Sequence, residues 1–97
     1  MESESEYIYD ALLNRPITDE EIQSRIINLN DYWTEKMDTL SVSISRKDMQ
    51  PVSDYLQYLY ASIINESQDD AVTYSRLLHY NLEGLREVIG IDMLNLL

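Results

Sequence analysis

The sequence lacks cysteine and phenylalanine, and it has only two glycines and two prolines in 97 residues. Without cysteine, the chain forms no disulfide, no thiolate zinc site and no cysteine nucleophile. Sandwiches and barrels need frequent turns rich in glycine, and phosphate-binding loops need glycine-rich runs. The composition therefore favours a few long helices in one domain that covers residues 1–97.

Basic residues are also scarce, because 7 Lys and Arg stand against 18 Asp and Glu, for a net charge of −11. Such a chain repels phosphate groups, so direct binding to nucleic acids or to anionic membranes is disfavoured. A protein partner with a basic surface is favoured instead. The alternative is that the acidity only keeps a small domain soluble.

Long apolar runs are absent, and the first six residues alternate Glu with Met or Ser, unlike the basic start of a signal peptide. We therefore expect no signal peptide, no membrane span and a cytoplasmic location.

The most apolar stretch covers residues 51–65, where Asp54 is the one formal charge. A helix that is apolar over more than one face is usually covered by neighbours on several sides. The sequence therefore predicts that this helix is central, with Pro51 in its first turn.

The clearest helix start lies near residue 18. Thr18 and Glu21 have the spacing of a capping box, and Ile17 and Ile22 have the spacing of a hydrophobic staple. Apolar residues then recur every three or four positions, which predicts a helix over residues 19–44. These residues are Ile22, Ile26, Leu29, Trp33, Met37, Leu40 and Ile44.

A last long helix is predicted over residues 68–89, with Ser67 as its N-cap. Its inward stripe consists of Ala71, Tyr74, Leu78, Leu82, Leu85 and Ile89. Gly84 in the middle of a helix costs up to about 1 kcal/mol relative to Ala, which suggests a close backbone contact there. Gly90 has the place of a helix-ending residue, and an apolar tail follows it.

A short helix over about residues 5–13 completes the prediction, after frayed residues 1–6. The predicted fold is an all-α bundle of three principal helices, with the short N-terminal helix as a possible fourth.

Residues with catalytic or metal-binding potential are few. His79 and Glu83 share a helix face, but the chain has no second histidine, so we expect no metal and no cofactor. Asp31, Glu35 and Asp38 should face water, and no glycine-flanked nucleophile turn is present. We therefore expect a protein that is not an enzyme.

Eight tyrosines supply the more informative pattern, because tyrosine is enriched at binding interfaces. The sequence predicts a non-enzymatic interaction module: a small acidic regulator, inhibitor or chaperone-like adaptor, expected as a homodimer. A DNA mimic that presents Asp31, Glu35 and Asp38 is the alternative. The alternative for the tyrosines and the apolar tail is that they complete a thin core. The predicted partner-binding residues are Tyr7, Tyr9, Tyr58, Leu77, Tyr80, Gly84, Leu94, Leu96 and Leu97.

Overall fold

A computed structural model describes residues 1–88, and these residues form four α-helices. Each helix packs against its neighbours in the chain, and the first also packs against the last, so the four helices enclose one core. This arrangement confirms the predicted all-α bundle and makes the N-terminal helix a full fourth member. The helices are α1 (Glu2–Asn14), α2 (Glu20–Leu40), α3 (Arg46–Ile64) and α4 (Gln68–Val88).

Short connections over residues 15–19, 41–45 and 65–67 make consecutive helices antiparallel. The helices α1 and α4, which are far apart in the chain, are antiparallel as well. Arg86 near the end of α4 lies 3.3 Å from Glu2 at the start of α1. Gln68 at the start of α4 donates to the Leu12 carbonyl near the end of α1.

The core is aliphatic around a single large ring, Trp33, which is 1% exposed. The indole N–H of Trp33 donates to Ser53 Oγ of α3 at 2.8 Å, so the one polar atom of the ring is satisfied. Most members of the two predicted seams are buried: Ile22, Ile26, Leu29, Trp33, Leu40 and Ile44, and Ala71, Leu78, Leu82 and Leu85. Met37 and Tyr74 are half-buried against the same core, and Ile89 lies outside the described residues.

The start of α1 differs from the prediction. The helix begins at Glu2 rather than at about residue 5, and Ser5 is 0% exposed. Residues 2–6 are all Glu or Ser, so they form no apolar stripe, and hydrophobic periodicity does not predict this first part of the helix. Packing against α4 stabilises it instead.

The start of α2 lies one residue later than predicted, and the capping box is not formed. Asp19 is the N-cap, and its carboxylate accepts from the Ile22 N–H at 3.1 Å. Arg15 also lies 3.4 Å from this carboxylate. Asp is a stronger N-cap than Thr, which explains why Asp19 takes the position predicted for Thr18.

The link between α2 and α3 is also corrected. α2 ends at Leu40 rather than at residue 44, and the Leu40 carbonyl accepts from the N–H groups of Ser43 and Ile44. α3 then begins at Arg46, with Ser45 as N-cap, so Pro51 is an interior residue of the helix and not part of its first turn. The serine cap overrides the start signal that proline provides.

The connection from α3 to α4 shows the effect of scarce glycine. Glu66 has φ of 52°, the left-handed conformation that glycine usually supplies at the end of a helix. The Glu66 N–H bonds to the Ile63 carbonyl and the Ser67 N–H bonds to the Ser62 carbonyl, which is the Schellman pattern. Ser67 Oγ then accepts from the Asp70 N–H at 3.4 Å, as the predicted cap requires.

No single helix is central, contrary to the role predicted for residues 51–65. In a closed set of four helices, α3 contacts α2 and α4 on its inner sides and presents its outer side to water. Tyr58, Tyr60 and Ile64 of this stretch are exposed, at 48%, 41% and 69%. Residues 51–65 are therefore apolar over more than one face because they include exposed tyrosines as well as core residues.

Gln68 joins the end of α1, the start of α2 and the start of α4. Its Oε1 accepts from the Ile17 N–H at 2.6 Å. Its Nε2 donates to the carbonyls of Leu12 at 2.8 Å and Arg15 at 3.1 Å. One side-chain amide thereby satisfies three backbone groups in a connection that would otherwise leave them without partners.

We expect Gln68→Ala to lower the free energy of unfolding by about 2–3 kcal/mol, because three hydrogen bonds to partly buried backbone groups are lost. Urea unfolding followed by fluorescence of Trp33 measures this change. Gln57→Ala is the matched control, since Gln57 is exposed on α3 and should change stability by less than about 0.5 kcal/mol. Equal effects of the two substitutions would contradict the role of Gln68.

Candidate protein-interaction surface

Three tyrosine rings meet where α3 and α4 face water. Tyr58 lies 5.2 Å from Tyr74 between ring centroids, and Tyr55 lies 6.3 Å from each of them. Tyr55 and Tyr74 are half-buried against the core, while Tyr58 is 48% exposed. These contacts hold Tyr58 in place, so a large ring is presented to solvent with little freedom left to lose on binding.

The surface continues along α4 toward the end of the helix. Leu77, Gly84 and Val88 follow Tyr74 at helical spacing, so they lie on the same face. Tyr80 flanks this row with 56% exposure, and Val88 is 63% exposed. We call this set the α3/α4 surface: Tyr55, Tyr58, Tyr74, Leu77, Tyr80, Gly84 and Val88.

The last part of the α3/α4 surface is a cleft of about 280 Å³ between the start of α3 and the end of α4. A Cβ added at Gly84 would meet no atom of the described residues within 4 Å. The close backbone contact predicted for Gly84 is therefore absent from the described part of the chain. The cleft is lined by Lys47, Asp48, Pro51, Tyr80, Asn81, Gly84, Leu85 and Val88.

Tyr7 is engaged inside the molecule. Its hydroxyl donates to Glu21 Oε1 at 2.8 Å, and the Arg25 guanidinium lies 3.9 Å from the ring centroid. Arg25 also contacts both carboxylate oxygens of Glu4, at 2.9 and 3.0 Å. The hydrogen bond from Tyr7, with those from Arg15 and Arg25, holds the pKa of the Glu21 carboxyl below its usual value. These contacts join α1 to α2 and leave less of Tyr7 for a partner.

Tyr9 is half-buried and lines a separate, polar cleft of about 450 Å³ between α1 and α4. Tyr80 borders this cleft too, and the Arg76 guanidinium lies 5.7 Å from its ring centroid. A hydrogen bond to Tyr80 raises the pKa of Arg76 above its ordinary value. The structure thus brings Tyr9 near Tyr80 but not near Tyr58.

His79 connects α1 to α4 in the same polar cleft. Its Nδ1 lies 3.1 Å from Ser5 Oγ, and its Nε2 lies 2.9 Å from Glu83 Oε1. The order Ser–His–Glu resembles a catalytic triad, but Ser5 is 0% exposed and its hydroxyl donates to the Glu2 carbonyl at 2.8 Å. A nucleophile must reach its substrate, and this hydroxyl does not. The cluster stabilises the contact between the two helices.

The acidic residues Asp31, Glu35 and Asp38 are all exposed on α2, as predicted. In residues 1–88, no group of three or more acidic or histidine side chains is arranged to hold a metal ion. None of the four helices described here combines the length and the apolar character needed to cross a membrane. The predicted partner-binding residues Leu94, Leu96 and Leu97, and Gly90, lie outside the described residues.

Comparisons with known proteins add no family: no family model matches the chain, and no significant similarity to a curated protein or to a solved structure is found. The surface chemistry is therefore the basis for any functional proposal.

The sequence did not indicate the contact between Ser5 and His79, since 74 positions separate the two residues. We expect Ser5→Ala to lower the free energy of unfolding by about 1 kcal/mol, because His79 Nδ1 loses its partner in a partly buried site. Ser75→Ala is the matched control. Ser75 is equally buried, but its hydroxyl bonds only to the Val72 carbonyl one turn earlier.

Chemical unfolding of both variants, with circular dichroism as the signal, measures the difference. The control should stay within about 0.5 kcal/mol of the original protein, since alanine also has the better helix propensity. If Ser75→Ala lowers the free energy of unfolding as much as Ser5→Ala does, the packing of the buried serine, and not its bond to His79, explains the loss of stability.

Proposed function

We propose that the protein is a non-enzymatic protein-interaction module that binds its partner through the α3/α4 surface. The observation that carries this proposal is the tyrosine cluster, in which Tyr58 is held by Tyr55 and Tyr74 and yet remains 48% exposed. Rigid aromatic side chains contribute much of the binding energy at protein interfaces. Of the nine predicted residues, Tyr58, Leu77, Tyr80 and Gly84 lie on this surface.

The chemistry of the surface restricts the partner. Its centre is aromatic and aliphatic, so the partner must offer an apolar patch to cover it. The net charge of −11 attracts a basic protein over a longer range and raises its association rate at low salt. A regulator, inhibitor or chaperone-like adaptor of a basic protein fits both requirements.

We expect the double variant Tyr58→Ser, Tyr80→Ser to lose a stoichiometric partner that the original protein captures from its native host. The matched control is Tyr60→Ser, because Tyr60 lies on the same helix with a similar exposure of 41% but outside the α3/α4 surface. Capture at low and high salt, with quantification of the bound protein, measures the effect. The control should retain the partner. High salt should weaken partner binding by the original protein and by the control alike.

Two results would contradict this proposal. One is a partner that binds the double variant and the original protein equally well. The other is the absence of any stoichiometric partner together with a strictly monomeric particle in sedimentation. A homodimer that dissociates in the double variant would identify a second copy of the chain as the partner, which is the predicted dimer.

A second candidate function has one observation in its favour. Asp31, Glu35 and Asp38 are exposed in a row along α2, and no ion pair neutralises them within residues 1–88. Carboxylates in such a row can take the places of backbone phosphates on a nucleic-acid-binding protein. The α2 row would then be the binding surface of a DNA mimic.

Reversal of the three charges, as Asp31→Lys, Glu35→Lys, Asp38→Lys, separates the two functions. A DNA mimic should lose its nucleic-acid-binding partner, whereas a module that uses the α3/α4 surface should keep most of its affinity. The control Glu6→Lys, Asp10→Lys, Glu87→Lys changes the net charge equally at other exposed positions. Binding isotherms at two salt concentrations measure the outcome, and equal losses in both triple variants would indicate attraction by net charge alone.

A further inference from the structure

Met37 of α2 lies where two clefts open between α2 and α3. Its side chain is half-buried against the core and lines both clefts, which have volumes of about 220 and 330 Å³. Met49 of α3 lines the smaller cleft as well, but it is only 4% exposed. A small molecule that enters these clefts therefore has better access to the Met37 thioether than to that of Met49.

A chain of hydrogen bonds with a fixed direction ends at the Met37 sulfur. The indole N–H of Trp33 can only donate, and it donates to Ser53 Oγ at 2.8 Å. Ser53 donates its own hydroxyl hydrogen to Met37 Sδ at 3.8 Å. Because a thioether is a weak acceptor, this hydroxyl makes only a weak bond in the present arrangement. A stronger acceptor on the sulfur would find the donor already oriented.

We propose that Met37 is a site of reversible oxidation by a peroxide, of which hydrogen peroxide is the simplest. The sulfur lone pair attacks one peroxide oxygen, so that an S–O bond forms and the O–O bond breaks. The thioether is oxidised by two electrons to a sulfoxide, and the other oxygen leaves as water with both peroxide hydrogens. The sulfoxide oxygen then accepts from Ser53 Oγ in place of the sulfur.

The modification is reversible because a methionine sulfoxide reductase can restore the thioether. In that step two thiols of the reductase form a disulfide, and the sulfoxide oxygen leaves as water. The exposed side of Met37 along the two clefts gives such an enzyme a route to the sulfoxide.

The surroundings of the sulfur make the oxidised form compatible with the fold. The new oxygen has Ser53 as a donor, and Arg46 lines the same cleft without an ion pair within residues 1–88. Oxidation therefore changes an apolar group between α2 and α3 into a polar one without leaving a buried acceptor unsatisfied. This inference does not rest on the proposed function, since it concerns the border of α2 and not the α3/α4 surface.

Peptide mapping by mass spectrometry, after exposure of the original protein to hydrogen peroxide, tests the site without any substitution. In the folded protein Met37 should be oxidised about tenfold faster than Met49, because susceptibility follows exposure. In concentrated urea the two rates should become equal, which controls for intrinsic reactivity. Equal rates in the folded protein, or faster oxidation of Met49, would overturn the proposal.

The effect of oxidation on stability tests the role of Ser53. In the original protein, oxidation of Met37 should raise the unfolding equilibrium constant only slightly, and a methionine sulfoxide reductase should reverse the change. In Ser53→Ala the same oxidation should raise this constant about fivefold more, because the sulfoxide oxygen has lost its donor. Trp33 lacks its acceptor in both redox forms of this variant, so that loss cancels in the comparison.

Two further variants complete the test. Met37→Leu, oxidised in parallel, gives the contribution of the other three methionines, which is subtracted. Ser53→Thr keeps the hydroxyl and should respond to oxidation as the original protein does. If oxidation has the same effect with and without the hydroxyl at position 53, the proposal that Ser53 holds the sulfoxide oxygen is wrong.

Discussion

Closure of the helices between α1 and α4 is the contact on which the rest of the structure depends. Three connections in chain order suffice to place α1 beside α2, α2 beside α3 and α3 beside α4, but none of them joins the first helix to the last. That contact is held by polar side chains along its whole length. Arg86 pairs with Glu2, His79 contacts Ser5, and Gln68 bonds to three backbone groups around the end of α1.

The position of α1 beside α4 decides which surfaces remain exposed. Because α1 packs against α4, that side of α4 is covered and the apolar residues between the two helices are buried. On the side of α4 that packs against α3, Val88 and the neighbouring Tyr58 of α3 remain exposed, and Tyr80 is exposed between this side and the cleft beside α1. A bundle of three helices, without α1, would leave a second apolar side of α4 open. The position of α1 therefore confines the apolar surface of α4 to its border with α3.

The fold class was accessible from the sequence because it depends on periodicity within each helix. The seam through Trp33 and the stripe through Leu78 both consist of residues whose spacing and burial agree. The boundaries were less accessible, since they depend on competition between neighbouring caps. The N-cap of α2 is Asp19 rather than Thr18. α3 begins at Arg46 after the N-cap Ser45, five residues before Pro51, where the sequence predicted its start. Near-equal local alternatives of this kind are decided by tertiary contacts.

The exposure of several tyrosines was predicted from the sequence, but the arrangement of the α3/α4 surface was not. Tyrosines outside the apolar stripes were identified as candidates, and Tyr58 and Tyr80 are indeed exposed. The sequence does not reveal that Tyr7 bonds to Glu21 and packs under Arg25, since those contacts join different helices. It also does not reveal that Tyr55 and Tyr74 support Tyr58 from two helices. Contacts between elements require the topology, and one sequence alone does not contain the covariation that would indicate it.

The use of tyrosine in place of phenylalanine follows from where the rings lie. Trp33 is the one aromatic side chain buried at the centre, and it requires the Ser53 hydroxyl as a partner for its N–H. None of the eight tyrosines is fully buried, so each can keep its hydroxyl in water or pair it with a charged neighbour, as Tyr7 does. A phenylalanine at these positions would expose the same ring without a polar edge. The tyrosines of this chain therefore belong to its surface and to the edges of its core, and not to the centre.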